Sequence, residues 1–167
     1  MSRAFVREPD GDRVEDDLPE LPQEPIPNRV TPKGLEDLKA RQAKLEKERE
    51  RLAGNDDMVE RSKLAHVERD LRYVEGRLYH AELVDPADQP HDRAGFGAAV
   101  KVADEAGKKH TYRIVGEDEA DFEAGKVSWV SPLARALDGA TVGDVVTWKR
   151  PAGDLELEIL EISYPKE

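Results

Sequence analysis

The sequence of 167 residues contains no cysteine, few aromatic side chains and no long apolar run. The absence of cysteine excludes disulfide bonds and thiolate chemistry. No apolar stretch approaches the ~18–20 residues that a membrane helix needs, and the first residues, MSRAFVREPDGDR, lack the apolar segment of a signal peptide. These absences predict a soluble, cytoplasmic protein with no membrane association.

Signatures of catalysis and of cofactor binding are also missing. No metal-ligand spacing connects the four histidines, which are His66, His80, His91 and His110. The segment Gly95-Phe96-Gly97 is not followed by a Lys-Ser or Lys-Thr pair, so it predicts the entry to a strand rather than a phosphate-binding loop. We therefore expect no enzyme active site and no cofactor of the protein's own.

Charged residues make up 38% of the chain, and the formal net charge is −11. Such an acidic surface repels phosphate backbones, so autonomous binding to duplex DNA is not expected. A role on nucleic acid would therefore depend on a protein partner. Residues 1–30 are rich in proline and acidic groups and have no hydrophobic periodicity, which predicts a disordered leader.

Residues 31–85 show the pattern of two amphipathic helices. Thr31-Pro32 suits the start of the first helix, Gly54 suits its end, and Asp57 with Glu60 predicts a capping box at the start of the second. Apolar residues at heptad spacing form one seam on each helix: Leu35, Leu38, Leu45 and Leu52, then Leu64, Val67, Leu71, Val74, Leu78 and Ala81. Two such helices joined by a short turn fold back as a monomeric, antiparallel coiled-coil hairpin.

The sequence after residue 85 predicts a linker at residues 86–93 and a β-rich domain at residues 94–167. Ser131-Pro132 predicts the start of a short helix, SPLARAL, that ends before Gly139. The alternating segments predict strands of an antiparallel sheet at Phe96–Val102, Thr111–Val115, Val127–Val130, Asp144–Lys149 and Leu155–Ser163. Strict alternation in the last strand would place Leu155, Leu157, Ile159 and Glu161 on one face. The fold class is α+β.

Several segments resemble the Gre transcription elongation factors of bacteria (the GreA/GreB family). In the second half these segments are IVGEDEAD (Ile114–Asp121), SPLARAL (Ser131–Leu137), VGDVV (Val142–Val146) and the PAG turn. In the first half, VTPKGLEDL (Val30–Leu38) resembles the family's entry to the hairpin and LVDP (Leu83–Pro86) its exit. The resemblance covers roughly residues 30–164 and implies an FKBP-like C-terminal domain after the hairpin.

The resemblance also implies a partner, bacterial RNA polymerase, and a mode of action. Family members place the C-terminal domain on the rim of the polymerase secondary channel and insert the hairpin into the channel. Acidic tip residues then help hold Mg²⁺ at the polymerase active centre, where the polymerase itself cleaves a backtracked transcript. The resemblance therefore implies that the protein contacts nucleic acid only within the transcription complex. The family's SP motif implies that Ser131, Pro132 and Leu133 contact the polymerase. Family members also have basic hairpin residues near the RNA, and the candidates for this role here are Arg41, Lys44 and Arg51.

The hairpin tip departs from the family pattern. It reads LAGNDDM (Leu52–Met58) in place of an acidic residue followed by Glu-Asn-Ala-Glu-Tyr, and each arm is shorter by about two turns, or ~10 Å. Asp56 and Asp57 are the candidate residues for the shared Mg²⁺. The alternative interpretations are a turn residue for Asp56 and a helix N-cap for Asp57. For Arg41, Lys44 and Arg51 the alternative interpretation is a solvated helix face. Two functions stay open: regulation of elongation with weak or no cleavage stimulation, or rescue of backtracked polymerase through Asp56 and Asp57.

Overall fold

The computed structural model of the protein describes residues 18–23 and 27–166. In chain order the elements are β1 (Asn28–Val30), α1 (Pro32–Leu52), α2 (Met58–Tyr79), β2 (Ala81–Leu83), β3 (Ala99–Ala103), β4 (Lys109–Val115), β5 (Lys126–Ser128), α3 (Pro132–Leu137), β6 (Val145–Trp148) and β7 (Leu155–Ser163). They form a helical unit that includes Leu38–Tyr79 and a β-rich unit made of Ile26–Asp37 and His80–Glu167. Within the described ranges, no helix is long and apolar enough to cross a membrane.

The helical unit confirms the predicted hairpin. Its seam is built from heptad residues, of which Leu38, Leu52, Leu71 and Val74 are buried. The two helices run antiparallel, because Arg51 near the end of α1 faces Glu60 near the start of α2, whereas Arg41 lies over the ring of Tyr73 further along. Gly54 ends α1 with a φ of +78°, a left-handed conformation that glycine adopts without strain.

The heptad pattern assigned one residue, Ala81, to the wrong element. Ala81 was expected to extend the second helix, but α2 ends at Tyr79 and Ala81 begins β2. The strand β2 pairs in parallel with β1, in the register Asn28↔Ala81 to Val30↔Leu83. Backbone pairing between these two strands therefore replaces the last helical turn that the heptad pattern predicted.

The predicted disordered leader, residues 1–30, is wrong for its last three residues. Asn28–Val30 form β1, and Asn28 and Val30 are buried. Further upstream, the carboxylate of Glu20 binds Arg72 of α2, with 2.6 Å between Oε1 and Nη2. The pairing of β1 with β2 thus orders a segment that has no periodicity of its own. Residues 1–17 and 24–26 lie outside the described residues.

The start of α1 is capped as predicted. The Thr31 hydroxyl accepts a hydrogen bond from the N–H of Gly34, with 3.0 Å between the two atoms. Thr31 also donates its hydroxyl proton to the carboxylate of Glu119, which accepts a second hydrogen bond from the N–H of Gly116 at 3.1 Å. Residues of VTPKGLEDL and IVGEDEAD therefore meet in one hydrogen-bonded junction within the β-rich unit.

The sheet of the β-rich unit has the strand order β5-β4-β3-β7-β6. All neighbours are antiparallel except β4 and β5, which are parallel. The predicted purely antiparallel sheet is thus wrong at one edge, because short 3₁₀ turns at Glu117–Glu119 and Phe122–Ala124 carry the chain back before β5 begins. The helix α3 packs against the sheet, and the shared core includes Val100, Val102, Ile114, Leu133, Leu137, Leu157 and Ile159.

The alternation along β7 changes phase near its end. Leu157 and Ile159 are buried as predicted, but Glu161 is exposed and Ile162 packs against the core instead. The cause is a shift of register against β3, in which Lys101 pairs with Glu161 but the next residue, Val102, pairs with Ile159. One extra residue in β7, a β-bulge, reverses which side chains point inward.

Candidate protein-binding groove and hairpin tip

The SP motif forms the N-terminus of α3. The Ser131 hydroxyl accepts a hydrogen bond from the N–H of Ala134 at 3.2 Å, so Ser131 is the N-cap, and Pro132 is the first helical residue. Pro132 is exposed, whereas the side chain of Leu133 is only 2% exposed and belongs to the core. Of the three expected contact residues, Pro132 is therefore exposed, Ser131 is partly exposed, and Leu133 is buried beneath them.

An apolar cavity of about 300 Å³ lies beside this motif, and we call it the Phe122 groove. Phe122 contributes the most exposed aromatic ring of the lining, at 60% exposure. Lys126 is the charged residue of the lining. The full lining is Ala120, Phe122, Lys126, Val127, Ser128, Ser131, Pro132, Leu133 and Trp148. The SP motif and two aromatic side chains, Phe122 and Trp148, thus line the same groove.

Aromatic contacts hold that wall in place. The ring of Tyr112 stacks on Phe122 at 5.9 Å and meets Trp148 edge-on at 6.3 Å. His110 also stacks on Tyr112, with 5.8 Å between the ring centres. The Arg150 guanidinium lies 5.2 Å from the centre of the Trp148 ring. Burial raises the pKa of the Tyr112 hydroxyl above its ordinary value, and nearby Asp104 raises it further. Phe122 is therefore exposed but supported by its neighbours.

The sequence pointed to the SP motif but not to the Phe122 groove. Trp148 also lines the groove, and no sequence motif contains it. Phe122 was not singled out, although its position directly after the IVGEDEAD segment was a usable signal. The groove depends on contacts among β4, β6 and the turn at Phe122–Ala124, which no local pattern reveals.

At the hairpin tip, Asp57 is the N-cap of α2. Its Oδ1 accepts a hydrogen bond from the N–H of Val59 at 2.8 Å. The expected reciprocal bond from Glu60 is absent from the described contacts, because Asn55 Oδ1 takes the Asp57 N–H at 3.1 Å and Glu60 binds Lys63 instead. The capping box is therefore only half formed, and one oxygen of the Asp57 carboxylate serves the helix.

Asp56 is the other candidate metal residue, and its side chain is fully exposed. A guanidinium nitrogen of Arg61 lies 3.8 Å from its carboxylate. Within residues 18–23 and 27–166, no three histidine or carboxylate groups come together as a metal-binding cluster. The tip thus offers two adjacent carboxylates, one of them engaged in capping and the other beside a cation, which is a poor fit for a divalent metal ion.

The candidate basic residues do not form one free cationic face. Arg51 binds Glu48 with 2.6 Å between Nη2 and Oε1, and this hydrogen bond lowers the pKa of Glu48 and raises that of Arg51. Arg41 lies over the Tyr73 ring at 5.8 Å, and Lys44 is exposed. A balanced, solvated helix surface therefore explains most of these charges.

A helical hairpin joined to a β-rich unit that carries an exposed apolar groove defines a protein suited to binding a larger partner.

Residues 89–164 match the family described as "Transcription elongation factor, GreA/GreB, C-term". The chain is 46% identical over 106 residues to transcription elongation factor GreA of Alkalilimnicola ehrlichii, covering 62% of this chain and 67% of that protein. It is 37% identical over 155 residues to transcription elongation factor GreB of Neisseria meningitidis, covering 83% of this chain and 95% of that protein.

Among solved structures, the chain is similar to GreA factor homolog 1 of Thermus thermophilus. The two are 26% identical, the match covers 83% of this chain and 99% of that chain, and the TM-score is 0.39. The family assignment rests on the sequence relatives. The chain belongs to the GreA/GreB family of transcription elongation factors.

Proposed function

We propose that this protein binds bacterial RNA polymerase at the secondary channel and regulates transcription elongation, with little or no stimulation of transcript cleavage. The observation that carries the proposal is the Phe122 groove, an exposed apolar surface that includes the SP motif in a chain of the GreA/GreB family. In this account the β-rich unit docks on the polymerase and the hairpin occupies the channel. The polymerase would remain the catalyst of any RNA cleavage.

The groove has the composition of a protein-binding hot spot. Burying the exposed part of Phe122 under a partner contributes on the order of 1–2 kcal/mol, and aromatic residues dominate the energetics of protein interfaces. Because Tyr112 and Trp148 already hold the Phe122 ring, little conformational entropy is lost when the partner docks. Pro132 adds a rigid, exposed apolar side chain to the same lining.

Contact at the groove is testable by photo-crosslinking of the full chain to core RNA polymerase. p-Benzoylphenylalanine in place of Phe122 should crosslink to the polymerase on irradiation. The same group in place of Val142, an apolar residue of the same unit that is 61% exposed, should crosslink far less. Equal crosslinking from both positions, or crosslinking from Val142 alone, would contradict docking through the groove.

The chemistry of the tip supports regulation without strong cleavage. An oxygen of Asp57 is committed to the N–H of Val59, and the carboxylate of Asp56 has the Arg61 cation nearby. Met58 and Val59, which follow directly, are 69% and 62% exposed, so the tip is partly apolar rather than densely acidic. Such a tip can occupy space in a channel but contributes little additional negative charge to a metal site.

Cleavage stimulation remains the second candidate function, because Asp56 is fully exposed and close in sequence to another carboxylate. The decisive test adds the full chain to a backtracked polymerase complex and measures shortening of the transcript. The double variant Asp56→Asn with Asp57→Asn removes both charges and keeps the capping ability of position 57, since asparagine is as good an N-cap as aspartate. We expect no stimulation by either protein. Magnesium-dependent cleavage that the double variant loses would favour the second function.

A further inference from the structure

The Phe122 groove contains a single charged residue, Lys126, in a lining that is otherwise apolar apart from two serines. The Lys126 side chain is exposed and therefore accessible to a docking protein. In the described part of the chain, no carboxylate lies within ion-pair distance of its ammonium group. A partner that fills the groove must face or cover this ammonium group, so the chemistry of the partner has to suit it.

Phe122 and Lys126 are held on one short turn. The N–H of Asp121 donates to the carbonyl of Lys126 at 3.0 Å, and the N–H of Lys126 donates to the carbonyl of Asp121 at 2.9 Å. Inside this closed turn, Gly125 has a φ of +76°, and a side chain there would also meet the carbonyl oxygen of Thr111 at 2.8 Å. The turn thus fixes the backbone positions from which the apolar ring and the ammonium group reach the groove.

The other polar groups of the lining are available as hydrogen-bond donors. The Ser131 Oγ accepts the N–H of Ala134 at 3.2 Å, and the Ser128 Oγ accepts the N–H of Val130 at 3.3 Å. Each hydroxyl still has its own proton to donate, and both serines are partly exposed. Together with the Lys126 ammonium group, these donors favour a hydrogen-bond acceptor on the partner, and the positive charge favours an anionic acceptor.

The charges beside the groove restrict where such an acceptor can lie. Asp121 and Glu123 flank Phe122 on the same turn, and both are exposed. Each would repel a carboxylate placed near it, whereas Lys126 would attract one. A carboxylate of the partner is therefore favoured beside Lys126 and disfavoured elsewhere on the turn.

We propose that the polymerase segment that occupies the Phe122 groove presents an apolar side chain next to an aspartate or glutamate, and that Lys126 binds this carboxylate. The apolar side chain packs against the exposed surfaces of Phe122 and Pro132. The ion pair determines which segment binds, and in which orientation, more than it adds affinity. This proposal rests on the proposed function, because it requires the groove to be the docking surface.

Equilibrium binding of the full chain to core RNA polymerase tests the role of the charge. Lys126→Met removes the ammonium group and keeps an unbranched apolar chain in the lining. We expect it to weaken binding about three- to tenfold at about 0.05 M salt, and the difference to shrink at about 0.5 M, because salt screens the ion pair. Lys126→Glu, which reverses the charge, should weaken binding further.

The matched control is Lys109→Met. Lys109 is exposed in the same unit but does not line the groove. Its substitution changes the net charge of the protein by the same amount as Lys126→Met does. We expect Lys109→Met to bind the polymerase like the wild type at both salt concentrations.

Carbodiimide crosslinking of the wild-type complex identifies the partner group. The reagent activates a carboxylate, and an amine in contact with it then forms an amide bond, while the reagent takes up the water that is lost. Mass spectrometry should find Lys126 joined to an aspartate or glutamate of the polymerase. Lys109 should form no such link.

Three results would overturn the proposal. They are wild-type affinity of Lys126→Met at low salt, an equal loss of affinity in Lys109→Met, and the absence of an amide link from Lys126 in a complex that forms. The first of these results would show that the long lysine side chain keeps its ammonium group in solvent at the edge of the groove.

The variant Phe122→Asp separates these failures from failure of the proposed function. If Phe122→Asp binds weakly and Lys126→Met binds like the wild type, docking at the groove is correct and only the carboxylate is wrong. If Phe122→Asp binds like the wild type, the groove is not the docking surface and both proposals are wrong.

Discussion

Gly34 lies in the first turn of α1, where replacing glycine by alanine ordinarily stabilises a helix by about 1 kcal/mol. We predict the opposite sign here. A methyl group at this position would lie 2.3 Å from Cδ and 2.4 Å from Oε2 of Glu119. The Glu119 side chain must therefore move, and its hydrogen bonds to Thr31 and Gly116 would be lost.

The magnitude follows from those hydrogen bonds. A hydrogen bond to a charged group contributes about 1.5–3 kcal/mol. Because the junction is partly exposed, we discount this to about 1–1.5 kcal/mol for each of the two bonds, a total loss of about 2–3 kcal/mol. The intrinsic gain from alanine offsets about 1 kcal/mol of this loss. Gly34→Ala should therefore lower the free energy of unfolding by about 1–2 kcal/mol.

Urea unfolding followed by tryptophan fluorescence measures this effect. Trp129 and Trp148 are suitable probes, because they lie in the same unit as Gly34 and Glu119. In a Glu119→Ala background the steric conflict is gone, so Gly34→Ala should become stabilising by about 1 kcal/mol. If Gly34→Ala stabilises the wild type and the Glu119→Ala variant equally, the reasoning about this junction is refuted.

Three further outcomes are expected. Asp57→Ala should lower the stability of the hairpin, measured by circular dichroism, by about 1 kcal/mol through loss of the N-cap, whereas Asp56→Ala should change it little. Burial raises the pKa of Asp104, but hydrogen bonds from Lys108, His110 and Ala106 outweigh it, and the pKa is lowered below its ordinary value of 3.8. Asp104→Asn should therefore destabilise the protein at pH 7. The difference should shrink as the pH falls below 3.8 and vanish once the pH is below the lowered pKa of the folded state. Leu157→Ala should cost about 2–5 kcal/mol in urea unfolding, and Leu160→Ala, at the bulge, clearly less.

The elements that the sequence predicted well are those determined by local patterns. Leucine and valine at 3–4 spacing over three heptads defined the hairpin, and residue types alone identified Thr31, Asp57 and Ser131 as N-caps. Each of these features depends on side chains within one or two turns of each other. The chain therefore contains enough local information to specify its helices and where they begin.

Features that depend on distant residues were missed. The strands β1 and β2 have only three residues each, which is too short for a recognisable alternation. They pair with each other although the whole hairpin lies between them in the sequence. The parallel direction of β5 results from the turns that precede it, and the bulge in β7 results from its pairing with β3. Likewise Phe122 becomes part of a groove only when β4 and β6 bring Tyr112 and Trp148 beside it.

The central claim, that this Gre-family chain binds RNA polymerase through the Phe122 groove, is tested most directly by equilibrium binding to core RNA polymerase. The dissociation constant is measured for the full wild-type chain, for Phe122→Asp and for Val142→Asp, which introduces the same charge at an equally exposed valine. We expect Phe122→Asp to weaken binding at least about tenfold, equivalent to about 1.4 kcal/mol, and Val142→Asp to match the wild type. Wild-type affinity in Phe122→Asp, or no measurable binding by the wild type, would contradict the account.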